Sequence, residues 1–238
     1  MPTSNKPSPD PFAMVNTIKT QGPAPVHLWD PPFCGNIDMR ICSDGTWMHE
    51  GRPIRRMAMV KLFASILKRE GDEYFLVTPV EKVRIQVEDT PFLAVAMDVH
   101  TSGGRVRRDT PEVVSANSAV AGAQAPAVSA QEIVFTTNVG EEIRLDSNHP
   151  LTVETGSGGT GDQHGEPHPV IKVRTGLHAL LSRAVFYRLV ELAVSRVEDD
   201  EESDEENDEE GGKEGDQEQI GVWSCGTFFA LSAASGQA

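Results

Sequence analysis

Cysteine is scarce in this sequence. Its 238 residues include three, Cys34, Cys42 and Cys225, and an odd count without a Cys-x-x-Cys pair indicates neither a disulfide framework nor a zinc site. That usage suits a reducing cytosol. No apolar run approaches the ~18 to 20 residues that cross a bilayer, and Met1 to Asp10 lacks the apolar core of a signal peptide. A soluble, cytoplasmic protein with no membrane partner is expected. Also missing are a Gly-x-Ser-x-Gly elbow, a Gly-Lys-Ser/Thr phosphate loop and a cysteine in a catalytic setting. No catalytic residue, metal site or cofactor is therefore assigned. Basic charge is short too. The net charge is −15, but Val197 to Glu218 holds 14 acidic residues against one lysine, a net of −13 that leaves −2 for the rest of the chain. The body is close to neutral, and an extended nucleic-acid surface is not supported, because counterion release needs clustered Lys and Arg.

What is present reads as two halves around a joint. Residues 1–28 carry prolines at 2, 7, 9, 11, 23 and 25 among small polar residues, so a disordered arm is expected there. An N-terminal α+β half follows over 29–88. Ile37, Met39 and Ile41 alternate with polar neighbours as a strand does. Ser43-Asp-Gly45 has hairpin chemistry, and Thr46 to His49 returns. Between Pro53 and Gly71, Met57, Val60, Ala64 and Leu67 fall at helical spacing, with Gly71 as the stop. Tyr74 to Val77 is a short apolar strand, interrupted by Thr78-Pro79, and Val83, Ile85 and Val87 then alternate with Arg84, Gln86 and Glu88.

The C-terminal half covers 89–238, with insertions expected at 102–131, 155–169 and 197–219. Phe92 to Val99 reads as a strand, Ile133 to Thr137 and Glu142 to Leu145 as a hairpin about Asn138-Val-Gly140, and Leu151 to Glu154 and Val170 to Val173 as short strands. Helical spacing runs from Leu177 to Val194, and Ile220 to Leu231 closes as one strand. Each half thus reads as antiparallel strands, one helix and a terminal strand. The predicted class is α+β with a duplicated core of two small antiparallel-sheet-plus-helix halves.

Gly156-Ser-Gly-Gly-Thr-Gly161 leads into Gln163-His-Gly-Glu-Pro-His168 rather than into a helix N-terminus, so it reads as a loop and not a phosphate cradle. His164 and His168 have the i, i+4 spacing of a metal pair, but Gly165 and Pro167 deny the helix that this spacing needs. The constellation that remains is distributed. Thr78 and Lys82 lie at the joint, Asn138 in a turn, His149 before a proline, and Arg183 and Tyr187 at i, i+4 on one helix face. Hydroxyl, ammonium, amide, imidazole, guanidinium and phenol together suit a cleft for a polar small molecule, phosphorylated ones included. Capping, turn formation and snorkelling are the ordinary uses of the same residues.

Several runs resemble one family. They are Ile37-Asp-Met-Arg-Ile41, Asp44-Gly-Thr-Trp-Met-His-Glu-Gly-Arg-Pro-Ile54, Leu62-Phe63, and Arg69-Glu-Gly-Asp-Glu-Tyr-Phe-Leu-Val-Thr-Pro-Val-Glu-Lys-Val83. Val87-Glu-Asp-Thr-Pro-Phe92, Thr137-Asn138, His149-Pro-Leu151, Arg183-Ala-Val-Phe-Tyr187 and Gly221-Val-Trp-Ser224 continue the match. All look like the bacterial family catalogued as domain of unknown function DUF 1285. The resemblance implies a duplicated α+β core whose C-terminal half is superficially pleckstrin-homology-like. It also implies a cleft between the halves for a nucleotide-type ligand, a signalling role and no defined catalytic residue. The function expected is a non-catalytic small-molecule binding module in bacterial signalling or regulation. The alternative is a protein–protein interaction module, and the third reading an enzyme acting on a nucleotide-like substrate.

Overall fold

The computed structural model describes residues 24–101, 104–105, 131–155, 167–197 and 218–231. The arm up to residue 23, most of the expected insertions, the glycine-rich run, His164 and the acidic residues 198–217 lie outside the described residues. Two compact units are present. One comprises 1–96, 135–143 and 171–180, the other 97–134, 144–170 and 181–238.

After a 3-10 turn at Val26–Leu28, the first unit builds a sheet from β1 (Phe33–Ile41), β2 (Trp47–His49), β3 (Arg52–Pro53), β4 (Leu67–Glu70), β5 (Glu73–Val77) and β6 (Lys82–Val87), with helix α1 (Met57–Ser65) between β3 and β4. The strand order is β3-β2-β1-β6-β5-β4. All pairings are antiparallel except β1 with β6, which is parallel and irregular between Asn36 and Arg40. That pair corrects the expected all-antiparallel half. Period-two alternation buries Met39, Ile41, Val83 and Ile85 on one face and turns Arg40, Arg84 and Gln86 to the other. On α1 the i, i+3, i+4 set Val60, Phe63 and Ala64 is buried, and Trp47 stacks on Phe63 at 6.2 Å. Losing that ring in a Phe63→Ala change would cost roughly 3–5 kcal/mol. Met57, expected in the same stripe, is exposed.

The helix is shorter than its spacing suggested. Leu67 fits a helical stripe, but it is equally the first inward residue of a strand. Paired with Leu76 it is fully buried, while Gly71, at φ +61°, turns the chain between Glu70 and Glu73 instead of ending a helix. The second helix is corrected in the same way. Leu177, Ala179 and Leu181 are buried in alternation with His178 and Leu180, so Leu177–Leu181 is a strand, and α2 spans only Arg183–Val190.

The remaining strands are β7 (Phe92–Thr101), β8 (Gly104–Arg105), β9 (Gln131–Thr137), β10 (Glu142–Arg144), β11 (Leu151–Thr155), β12 (Pro167–Arg174), β13 (Leu177–Leu181), β14 (Val194–Val197), β15 (Glu218–Ser224) and β16 (Thr227–Ala230). A second sheet runs β10-β9-β7-β13-β12-β11 with β8 beside β7, and a third runs β14-β15-β16. Gly104, Arg105, Gln131, Thr155, Pro167 to Pro169, Val197, Glu218 and Gln219 are strand residues rather than parts of insertions, and Ala24 to Leu28 are ordered rather than part of the arm. The single closing strand is in fact the β15–β16 hairpin, whose turn residues Cys225 and Gly226 have φ +51° and +77°. Glu50 and Gly51, between β2 and β3, have φ +48° and +71°. Positive φ at both positions is the type I′ signature, reached in each case with a first residue other than Asn or Asp. In β15, Gly221 lies so close to the Phe229 carbonyl and the Phe228 ring that a Cβ would meet them at 2.4 and 2.5 Å. The fold is α+β and mostly β, a duplicated arrangement of sheets with a helix in each unit.

Candidate functional site

In the first unit, a groove of about 530 Å³ opens over β1, β5 and β6. Its polar side chains are Asn36, Arg40, Glu73, Arg84, Gln86 and Glu88, joined by Asp72 and Tyr74, over Ile37 and Ile85. The position follows from the irregular parallel pair. Asn36 sits opposite Arg84 and Arg40 opposite Gln86, so four residues of β1 advance against two of β6, and the strands part between them.

Two guanidiniums are held in the groove without being used up. The Nε–H of Arg84 donates to Asn36 Oδ1 at 2.9 Å, and one terminal nitrogen pairs with Glu73. Arg40 contacts Glu88 through Nε at 3.3 Å, and the other Glu88 oxygen accepts from Ser43 N–H at 3.0 Å. One terminal nitrogen of Arg84 and both of Arg40 have no hydrogen-bond or ion-pair partner among the described residues. Burial of Tyr74 pushes its hydroxyl above the usual tyrosine range, against the opposing pull of Arg69, so it stays a protonated donor. Arg69 also stacks on that ring at 5.6 Å.

The six residues singled out in the sequence divide between the units, and four of them have local work. Thr78 is fully buried. Its hydroxyl accepts from the Glu81 N–H at 3.1 Å and shapes the turn into β6. Lys82 bonds Glu70 Oε2 at 2.9 Å and lies over the Phe75 ring at 5.2 Å. Glu70 also meets Lys68 at 2.9 Å, and bonds from Lys82 first and Lys68 second hold its carboxyl below the usual range. Asn138 Oδ1 accepts from Leu93 N–H and its Nδ2 donates to the Gly45 carbonyl, both at 3.2 Å. In the second unit, His149 Nδ1 lies 3.0 Å from Asp146 Oδ1. Partial burial pushes the Asp146 carboxyl up, but bonds from His149 and Asn148 outweigh it and hold the group low. Arg183 opens α2, and Tyr187, one turn on, is 66% exposed. None of the six lines the groove. Sequence reasoning placed Arg84, Gln86 and Arg40 outward on their strands without joining them, because the pairing that does so is distant in the chain.

Two sheet-and-helix units define a mostly-β α+β protein with a charged groove on its first sheet. The chain belongs to the DUF1285 family. Residues 24–90 match its N-terminal domain, described as a domain of unknown function, and residues 118–204 its C-terminal domain, described as a protein of unknown function. A DUF1285 family protein from Silicibacter pomeroyi DSS-3 is 40% identical, with 95% of this chain and 97% of that chain covered and a TM-score of 0.67. Another, from Shewanella baltica OS155, is 29% identical over 65% of this chain and 91% of its own, with a TM-score of 0.40. No curated protein matches. Among the described residues, no helix is long and apolar enough to cross a membrane.

Proposed function

We propose that the chain is a non-catalytic binding module for a polar small molecule, acting in bacterial signalling or regulation in the cytoplasm. The observation that carries the reading is the groove of about 530 Å³ with two anchored guanidiniums that keep unused donors. Its volume is that of a small-molecule site, and an Arg already anchored by its neighbours presents its remaining N–H groups at little ordering cost. A nucleotide-type ligand is the class the family resemblance implied. The reading includes a pleckstrin-homology-like C-terminal half, a view supported by the antiparallel β14–β15–β16 sheet with α2 against β15.

Thermal unfolding of the full chain against nucleotides, phosphorylated metabolites, amino acids and small peptides tests it. A specific ligand at a hundredfold its dissociation constant raises stability by ~2.7 kcal/mol, and Arg84→Gln should abolish the shift. A library that shifts nothing removes the reading. A protein-interaction role is favoured by a different observation in the same unit, the exposure of Leu28, Phe33 and Val80 at 73%, 54% and 59%. A protein partner lost on Phe33→Ser and Val80→Ser, with the groove variant still competent, would select that role.

A further inference from the structure

We infer that the groove takes a short peptide in its free, zwitterionic form, an inference that rests on the ligand-binding reading above. The charges that line it decide the ligand class. Arg40 and Arg84 face Asp72, Glu73 and Glu88, two cations against three carboxylates. A polyphosphate is met in proteins by surplus cations or by the N–H groups of a helix N-terminus. The lining comes from β1, β5, β6 and the turns beside them, with no helical residue in it, so it offers neither.

What it offers is two couples of opposite charge. One is Arg84 with Glu73, the other Arg40 with Glu88. Arg40 stands across Gln86 on one side, and Glu73, next to Tyr74 in its pairing with Ile85, stands across it on the other, so the two are two strand spacings apart, about 9–10 Å at ~4.8 Å each. An extended dipeptide covers ~7 Å at ~3.3–3.6 Å per residue, and a hydrogen bond at each end closes the rest. The couples differ in a way that orients it. At Arg40 both terminal nitrogens are open to a carboxylate in the bidentate manner. At the other end Asp72 adds a second carboxylate beside Glu73, one oxygen of it engaged by Arg69 at 3.0 Å, and the local excess of negative charge suits an ammonium. The peptide N-terminus therefore belongs at Asp72 and Glu73 and its C-terminus at Arg40, with Gln86 supplying an amide between them.

Calorimetric titration of the full chain with dialanine, N-acetyl-dialanine, dialanine amide and ADP tests this. Free dialanine should bind, and each blocked form should bind at least tenfold more weakly. Arg40→Gln, at a side chain 47% exposed and checked for an unchanged melting curve, should weaken free dialanine tenfold and leave dialanine amide unaffected, since both remove the same contact. Blocked forms that bind as well as the free peptide overturn the inference. Binding of ADP in preference, lost in Arg40→Gln, overturns it too but leaves the groove a ligand site, whereas heat from none of the four compounds overturns the peptide assignment alone and returns the broader reading to the thermal screen.

Discussion

Each unit contains one small polar side chain that fastens segments its ladders do not join, and the two fasteners differ in depth. In the first, the half-buried Asn138 amide accepts from Leu93 N–H and donates to the Gly45 carbonyl. In the second, the Ser224 hydroxyl, wholly buried, accepts from Ile133 N–H at 3.0 Å and donates to the Leu145 carbonyl at 2.7 Å. Both satisfy one backbone donor and one backbone acceptor. The difference lies in what replaces them. Water can reach the Asn138 partners if the amide goes, but the Ser224 partners would be stranded in an apolar interior, where each unsatisfied group costs about 1–3 kcal/mol. Equal numbers of bonds therefore carry unequal weight.

The strongest way to break the symmetry is Ser224→Ala, expected to cost roughly 2–4 kcal/mol in denaturant unfolding at constant m-value. Asn138→Ala should cost less, about 1–2 kcal/mol, because solvent substitutes for part of the loss. A cost equal to that of Ser224→Ala would put depth aside as the deciding factor. Glu70→Gln probes a feature of the first unit, the carboxylate between Lys68 and Lys82. Its folded-state carboxyl lies below the ordinary 4.5, so the stabilisation is present above that value and fades as pH falls through the lowered one. At 36% side-chain exposure the effect should be no more than about 1 kcal/mol at pH 7 and should vanish in acid, read from melts of both proteins across pH 3–7. The smallest effect expected is a gain. Cys225→Asn and Glu50→Asn should each stabilise by about 0.5 kcal/mol, since asparagine accepts positive φ more readily than the residues now there. A melting temperature lowered by either substitution would show that its present side chain makes a contact worth more than the strain.

Legibility in the sequence followed the range of the interactions. The alternation of Ile37 to Ile41 and Val83 to Val87, and the turn at Asn138 to Gly140, are local patterns, and the structure has those strands and that turn. The helix limits were not legible, because Leu67 and the Leu177 to Leu181 run satisfy both a helical and a strand period, and only partners elsewhere in the chain decide between them. Cys225-Gly226 lacked the Asn or Asp that marks a type I′ turn, so the last hairpin read as one strand. The groove was half legible. Arg84 and Gln86 stood outward by alternation, but their placement beside Arg40 depends on a parallel pairing that leaves no local trace. Thr78 and Asn138 are polar residues in turns, and the turns use that polarity themselves.

The first sheet is two meanders, β1–β2–β3 and β4–β5–β6, each closed by short connections, and the seam between them brings together residues 48 apart in the chain. Contacts that distant carry the loop-closure cost and form late. The seam is therefore the part of this sheet expected to assemble last, so substitutions along it should change the unfolding rate more than the folding rate. Arg40 and Asn36 stand on one meander, Arg84, Gln86 and Glu73 on the other. An occupant of the groove would hold both sides at once, so binding and completion of the sheet become one equilibrium, and the ligand acts as a clamp on the seam.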